Sequence, residues 1–147
     1  MEIITESAQE TQKLGEKIAR TVTAKPTTAT SIGLLGDLGS GKTTLVQGFA
    51  RGLGITQRIL SPTFIVVRRY PVKHPIFNWF YHIDLYRIKS ANDSESLGLA
   101  EIFANPKNIV VIEWPKRLEK QLPRKRTDIS FVDVGINRRK ITVTQSS

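Results

Sequence analysis

No cysteine occurs in the 147 residues, so disulfides and thiolate metal sites are excluded. That absence fits a reducing compartment, and the expected location is cytoplasmic. No apolar run approaches the ~20 residues of a membrane helix, and no membrane association is expected. The start, Met1-Glu2-Ile3-Ile4-Thr5-Glu6, lacks the basic-then-apolar pattern of a signal peptide. Repeats and low-complexity tracts are missing as well. Acids are scarce: 13 Asp and Glu stand against 22 Lys and Arg, a net charge of +9. That balance favours acidic partners, namely RNA, nucleotides or an acidic protein surface; a solvated basic surface is the plain alternative. The basic clusters are Arg68-Arg69, Lys116-Arg117, Arg124-Lys125-Arg126 and Arg138-Arg139-Lys140. Neither an RNA-stacking aromatic motif nor a zinc-finger spacing accompanies them. An N-K-x-D guanine-reading motif is also absent, and Asn105-Pro106-Lys107-Asn108 does not replace it.

What is present centres on Gly36-Asp37-Leu38-Gly39-Ser40-Gly41-Lys42-Thr43. These residues match G-x-x-x-x-G-K-[ST], a phosphate-binding loop. Three glycines allow a tight curl that points successive N–H groups at one anion. Lys42 can reach the β- and γ-phosphates, and the Thr43 hydroxyl can hold Mg²⁺. Thr44 continues the nucleotide-binding stretch. Ile32-Gly33-Leu34-Leu35 before the loop reads as a buried parallel strand. Leu45, Val46, Phe49, Ala50 and Leu53 after it have helical spacing. Strand, loop and helix thus follow in the order that phosphate binding demands.

Elsewhere, Ser7-x-x-Glu10 with Leu14, Ile18 and Val22 predicts a helix near 7–22. Ala24 to Thr30 reads as a loop. Phe64 to Tyr70 and Phe77 to Tyr86 read as strands, paired as an antiparallel hairpin beside the parallel core. Asn92 to Phe103 suggests a helix broken near Gly98. Asn108 to Glu113 is a strongly apolar strand, and Pro115 to Leu122 a short helix. Asp128 to Val134 and Lys140 to Thr144 are strands around a turn near Gly135-Ile136-Asn137. Residues 1–147 are expected to form one α/β domain.

A phosphate loop needs an acid near the metal and a group that orients water. Glu113 ends the apolar strand Ile109-Val110-Val111-Ile112, where it would emerge at the C-terminal edge of a parallel sheet. It can coordinate Mg²⁺ through water; an ordinary strand-end glutamate is the bland reading. In Tyr81-His82-Ile83-Asp84-Leu85-Tyr86-Arg87, alternation predicts His82, Asp84 and Tyr86 on a polar face and Ile83 and Leu85 on an apolar one. Asp84 can orient water or organise the metal, or be a surface acid paired with Arg87 or His82. His82 reads as a structural hydrogen-bonding residue. Ser61-Pro62-Thr63 suits either a γ-phosphate-sensing switch or a strand-entry turn. Trp114 suits base stacking, a partner contact or half-buried packing.

Together these motifs resemble the TsaE (formerly YjeE) family, the bacterial ATPase component of tRNA threonylcarbamoyladenosine (t6A) biosynthesis. The likeness is carried by the loop through Leu45, Ser61-Pro62-Thr63-Phe64, the 81–87 segment, Gly98-Leu99-Ala100-Glu101-Ile102-Phe103 and Ile112-Glu113-Trp114-Pro115. It covers roughly residues 5–135. The loop is generic; H-x-D-L-Y-R combined with I-E-W is specific. The resemblance implies a P-loop NTPase-like three-layer fold, with a mostly parallel central sheet and an antiparallel extension. It implies Mg²⁺-dependent ATP binding, slow hydrolysis, and association with TsaD and TsaB. It implies that tRNA is met through that complex, without threonylcarbamoyl transfer by the ATPase itself. Carried over, Lys42 holds phosphates, Thr43 binds Mg²⁺, Thr63 belongs to the first switch, Asp84 serves catalysis, Glu113 sits at the metal, and Trp114 lies near the nucleotide or the partner. One departure is clear: Arg68-Arg69 precede Tyr70 where family members often carry acids. A small-molecule or nucleoside kinase and a nucleotide-gated RNA-binding protein are the alternative functions.

Overall fold

The computed structural model describes residues 1–24, 30–37, 39–59, 66–89, 95 and 97–146. Seven strands form one sheet in the order β1-β7-β6-β2-β5-β4-β3. They are β1 (Glu2–Thr5), β2 (Thr30–Leu35), β3 (Val67–Pro71), β4 (Trp79–Asp84), β5 (Asn108–Glu113), β6 (Arg126–Gly135) and β7 (Arg138–Ser146). The central strands β6, β2, β5 and β4 run parallel. Antiparallel pairs close both flanks: β3 on β4, and β7 with β1 beyond β6. The expected hairpin is therefore present, but its second strand also belongs to the parallel core. β1 is only four residues long, and its pairing with β7 fixes it as a strand.

Helices cover both faces. α1 (Ala8–Thr23) and α2 (Lys42–Gly52) lie on one. Leu14, Ile18, Leu45, Val46 and Phe49 there pack with Ile32, Leu34, Phe80, Ile109, Val111 and Ile129. The short α3 (Leu99–Ala104) and a 3₁₀ helix (Pro115–Gln121) cover the other, where Leu99, Phe103 and Leu118 meet Ile83, Val110 and Ile112. β5 is buried along its whole length because alternate residues serve opposite layers.

The start of α1 is legible in sequence. The Ser7 side chain accepts from Glu10 N at 3.1 Å, and Glu10 Oε2 accepts from Glu6 N at 2.6 Å, a variant of the capping box. Less legible is how closely α1 and α2 cross. A Cβ on Gly48 would lie 1.9 Å from Gln12 O, and one on Gly15 would lie 2.3 Å from Leu45 O. The break expected near Gly98 is present: Glu95 is helical, residues 97 and 98 form a turn, and α3 follows. That helix begins after Gly98, whose φ of +67° suits glycine.

Candidate functional site

β2 carries the chain to the C-terminal edge of the parallel strands, where α2 starts. Between them the backbone passes through positive φ at Gly36 (+156°), Gly39 (+78°) and Gly41 (+104°). A side chain at Gly36 would collide: its Cβ would sit 2.8 Å from Ser40 Oγ. Ser40 N donates to Asp37 O at 3.1 Å, closing the turn. Leu38 lies outside the described residues. The first backbone bond of α2 is Leu45 N to Gly41 O at 3.0 Å. The N–H groups of Lys42, Thr43 and Thr44 thus have no acceptor within the helix. Ser7 caps α1, whereas no side chain caps α2. The Ser40 hydroxyl is likewise buried with no hydrogen-bond partner among the described residues. Amides without a helical acceptor, a hydroxyl orphaned among the described residues and a helix N-terminus are features that suit an anion.

Helix α2 and strands β4 and β5 deliver the other groups. Lys42 is 5% exposed, and its Nζ donates to Gly36 O at 2.8 Å. The same ammonium lies 4.1 Å from the centre of the Trp114 ring and 4.0 Å from Glu113 Oε1. Burial lowers its pKa, opposed by the charges of Glu113, Asp84 and Asp37. Asp84 and Glu113 are cross-strand neighbours at the ends of β4 and β5, on the sheet face that carries α2. Glu113 Oε2 lies 2.6 Å from His82 Nε2. Asp84 Oδ1 accepts from Tyr86 N at 2.9 Å. Burial raises the Asp84 pKa, opposed by that backbone bond. Asp84 is therefore no surface acid. The expected alternation holds, with Ile83 and Leu85 on one face and His82 and Asp84 on the other, but the polar face is buried. Phe80 shares a face with His82 and Asp84, and helices bury both sides. Trp114 is half-buried at φ +59°, with Tyr86 at 5.1 Å.

Thr43 in the first turn of α2 and Glu113 at the end of β5 offer hard oxygen donors. They suit Mg²⁺, which binds through one or two protein oxygens plus phosphate and water. Among the described residues no three His, Cys, Asp or Glu side chains converge as a dedicated cage. Ser61, Pro62 and Thr63 lie outside the described residues.

Sequence reasoning missed Arg139. From β7 its Nε donates to Ser40 O at 3.1 Å, bracing the loop across the sheet, while Nη1 lies 3.3 Å from Asp133 Oδ1. Only pairing of the sheet brings residues 99 positions apart together, so no local signal marks it. Arg139 also lines a hollow of about 90 Å³ with Ser7, Thr11, Gly41, Thr44 and Asn137. A larger cavity of about 330 Å³ lies on the opposite flank, between Leu35–Asp37 and Trp114–Arg117.

This architecture defines a P-loop NTPase-like three-layer α/β protein. The profile of the family described as threonylcarbamoyl adenosine biosynthesis protein TsaE matches residues 5–141; the chain belongs to that family. It is 42% identical over 111 residues to the tRNA threonylcarbamoyladenosine biosynthesis protein TsaE of Bacillus subtilis, covering 76% of this chain and 66% of that protein. Its namesake from Synechocystis is 41% identical over 84% of this chain and 74% of its own. That from Treponema pallidum is 34% identical over 97% and 99%. A crystal structure of Bacillus subtilis YdiB matches with TM-score 0.80 at 32% identity, over 100% of this chain and 86% of that one. The family works in threonylcarbamoyladenosine biosynthesis. No helix among the described residues is long and apolar enough to cross a membrane.

Proposed function

We propose that residues 1–147 form a cytoplasmic Mg²⁺-dependent ATPase domain that sustains turnover of the t6A-modifying machinery. It acts through TsaD and TsaB and meets tRNA through them. The observation that carries this reading is the uncapped start of α2 beside Glu113 and Asp84. The amides of 42–44 bind phosphate oxygens, and Lys42 exchanges Gly36 O for a more strongly charged partner. Thr43 and Glu113 would hold Mg²⁺, which would supply charge neutralisation at the phosphates. Asp84 orients water; its raised pKa makes it a better proton acceptor than an ordinary carboxylate. With the terminal phosphate toward Glu113, the nucleoside lies on the other flank, in the hollow of Ser7, Thr11 and Arg139. The threonylcarbamoyl group is not transferred here.

Titration of Lys42→Ala with ATP and Mg²⁺ tests the foundation. A hydrogen bond to a charged group is worth about 1.5–3 kcal/mol, so affinity should fall roughly tenfold or more. Unchanged affinity would remove the reading. Mixing the chain with TsaD, TsaB and tRNA, with and without ATP, tests the partners: ATP should be required for repeated modification.

One observation favours a second reading, a small-molecule or nucleoside kinase. The cavity of about 330 Å³ bordered by Trp114 and Arg117 adjoins the loop and has room for an acceptor. Mass spectrometry for phosphorylated nucleosides or metabolites separates the two.

A further inference from the structure

We propose that His82 is a positioning residue for Glu113, fixing one carboxylate oxygen so that the other faces the phosphate loop. The inference rests on the Mg²⁺–ATP reading of the site. β4 and β5 are parallel and in register, with His82 opposite Val111 and Asp84 opposite Glu113. The imidazole therefore stands one step behind the carboxylate on the same sheet face.

The two oxygens of Glu113 have different surroundings. Oε2 lies 2.6 Å from His82 Nε2, while Oε1 lies 4.0 Å from Lys42 Nζ. His82 is 0% and Glu113 5% exposed, so water does not compete for the first bond. An ionised Glu113 can only accept, so Nε2 donates. Turning the carboxylate would break this bond and strand a buried oxygen. Glu113 is thereby held to one orientation, with Oε1 toward the loop.

The ring is itself held. It stacks on Phe80 at 6.5 Å and 9°, and Phe80 packs against Phe49 and Tyr70. Nδ1 is buried and has no hydrogen-bond partner among the described residues. A histidine kept for structure alone would satisfy both nitrogens; here the polar engagement observed goes to Glu113. Outer partners of metal-ligating groups act this way, and losing one weakens metal affinity about 10–100-fold.

The test compares His82→Phe, which keeps the ring and loses the donor, with His82→Gln, which restores an N–H near the Nε2 position. ATP binding is titrated by calorimetry against Mg²⁺, and in EDTA. Mn²⁺ binding in the presence of ATP is followed by electron paramagnetic resonance. The expected result is a metal requirement raised about 10–100-fold in His82→Phe, unchanged binding in EDTA, and recovery in His82→Gln. His82→Asn, whose shorter amide stops short of Glu113, should behave like Phe. It supplies the comparison with Gln if His82→Phe does not fold. Equal metal requirements in His82→Gln and His82→Asn would overturn the proposal. ATP affinity of the unaltered protein that is the same in Mg²⁺ as in EDTA would overturn the underlying reading as well, which separates the two failures.

Discussion

Asp84 and Lys42 show why this site is costly to the fold. Burial raises the carboxyl pKa of Asp84 and lowers the ammonium pKa of Lys42. A carboxyl whose pKa is raised on folding stabilises the fold below its unfolded pKa, near 4. That contribution is lost as pH climbs through the folded pKa. Once ionised, Asp84 is therefore a burden on the fold. Asp84→Asn, which keeps an oxygen for Tyr86 N, should melt higher than the unaltered protein at pH 7. The gap should close toward pH 4; a gap independent of pH would contradict the argument. The same variant should lose ATPase and tRNA-modifying turnover together, and normal values of both would remove Asp84 from catalysis. Stability and function thus pull this residue in opposite directions.

The helices show two kinds of determinant. Ser7 caps α1 by a local bond to Glu10 N, and Ser7→Ala should cost about 1 kcal/mol by denaturant titration. Gly48 acts at a distance. Alanine there gains up to ~1 kcal/mol in helix propensity, yet its Cβ would meet Gln12 O at 1.9 Å. Backbone cannot rotate aside as a side chain can. Overpacking of this kind costs about 1–3 kcal/mol or more, so the clash wins and Gly48→Ala should lower Tm. An unchanged or raised Tm would show that α1 shifts freely. The two glycines are indistinguishable from loop glycines in the sequence, because only the crossing of α1 and α2 gives them a partner.

Across the whole molecule, the charge of +9 is spread on a surface where several cations are already paired. Arg138 is 3.6 Å from Glu6, Lys140 3.2 Å from Glu2, and Arg126 2.6 Å from Glu119. Lys116, Arg117, Arg124 and Lys125 remain exposed. Association with an acidic partner should slow about tenfold or more as salt rises from low to high, while exposed intramolecular pairs matter little to stability. Tight, salt-sensitive tRNA binding by the isolated chain would instead favour the RNA-binding alternative. Arg69, in the pair that departs from the family pattern, rests over Trp79 at 4.2 Å on edge strand β3, away from the phosphate loop.

Short-range order was determined by the sequence alone. Gly36 to Thr43, the strand ending at Glu113 and the cap at Ser7 each depend on neighbours a few residues apart, so spacing and residue type reveal them. Tertiary structure decided what long-range pairing must supply. It joined β1 to β7, set Arg139 against Ser40, and buried both faces of β4. It also brought His82 to Glu113 from 31 positions away. Those contacts follow from strand order and register, which no local pattern of residues encodes.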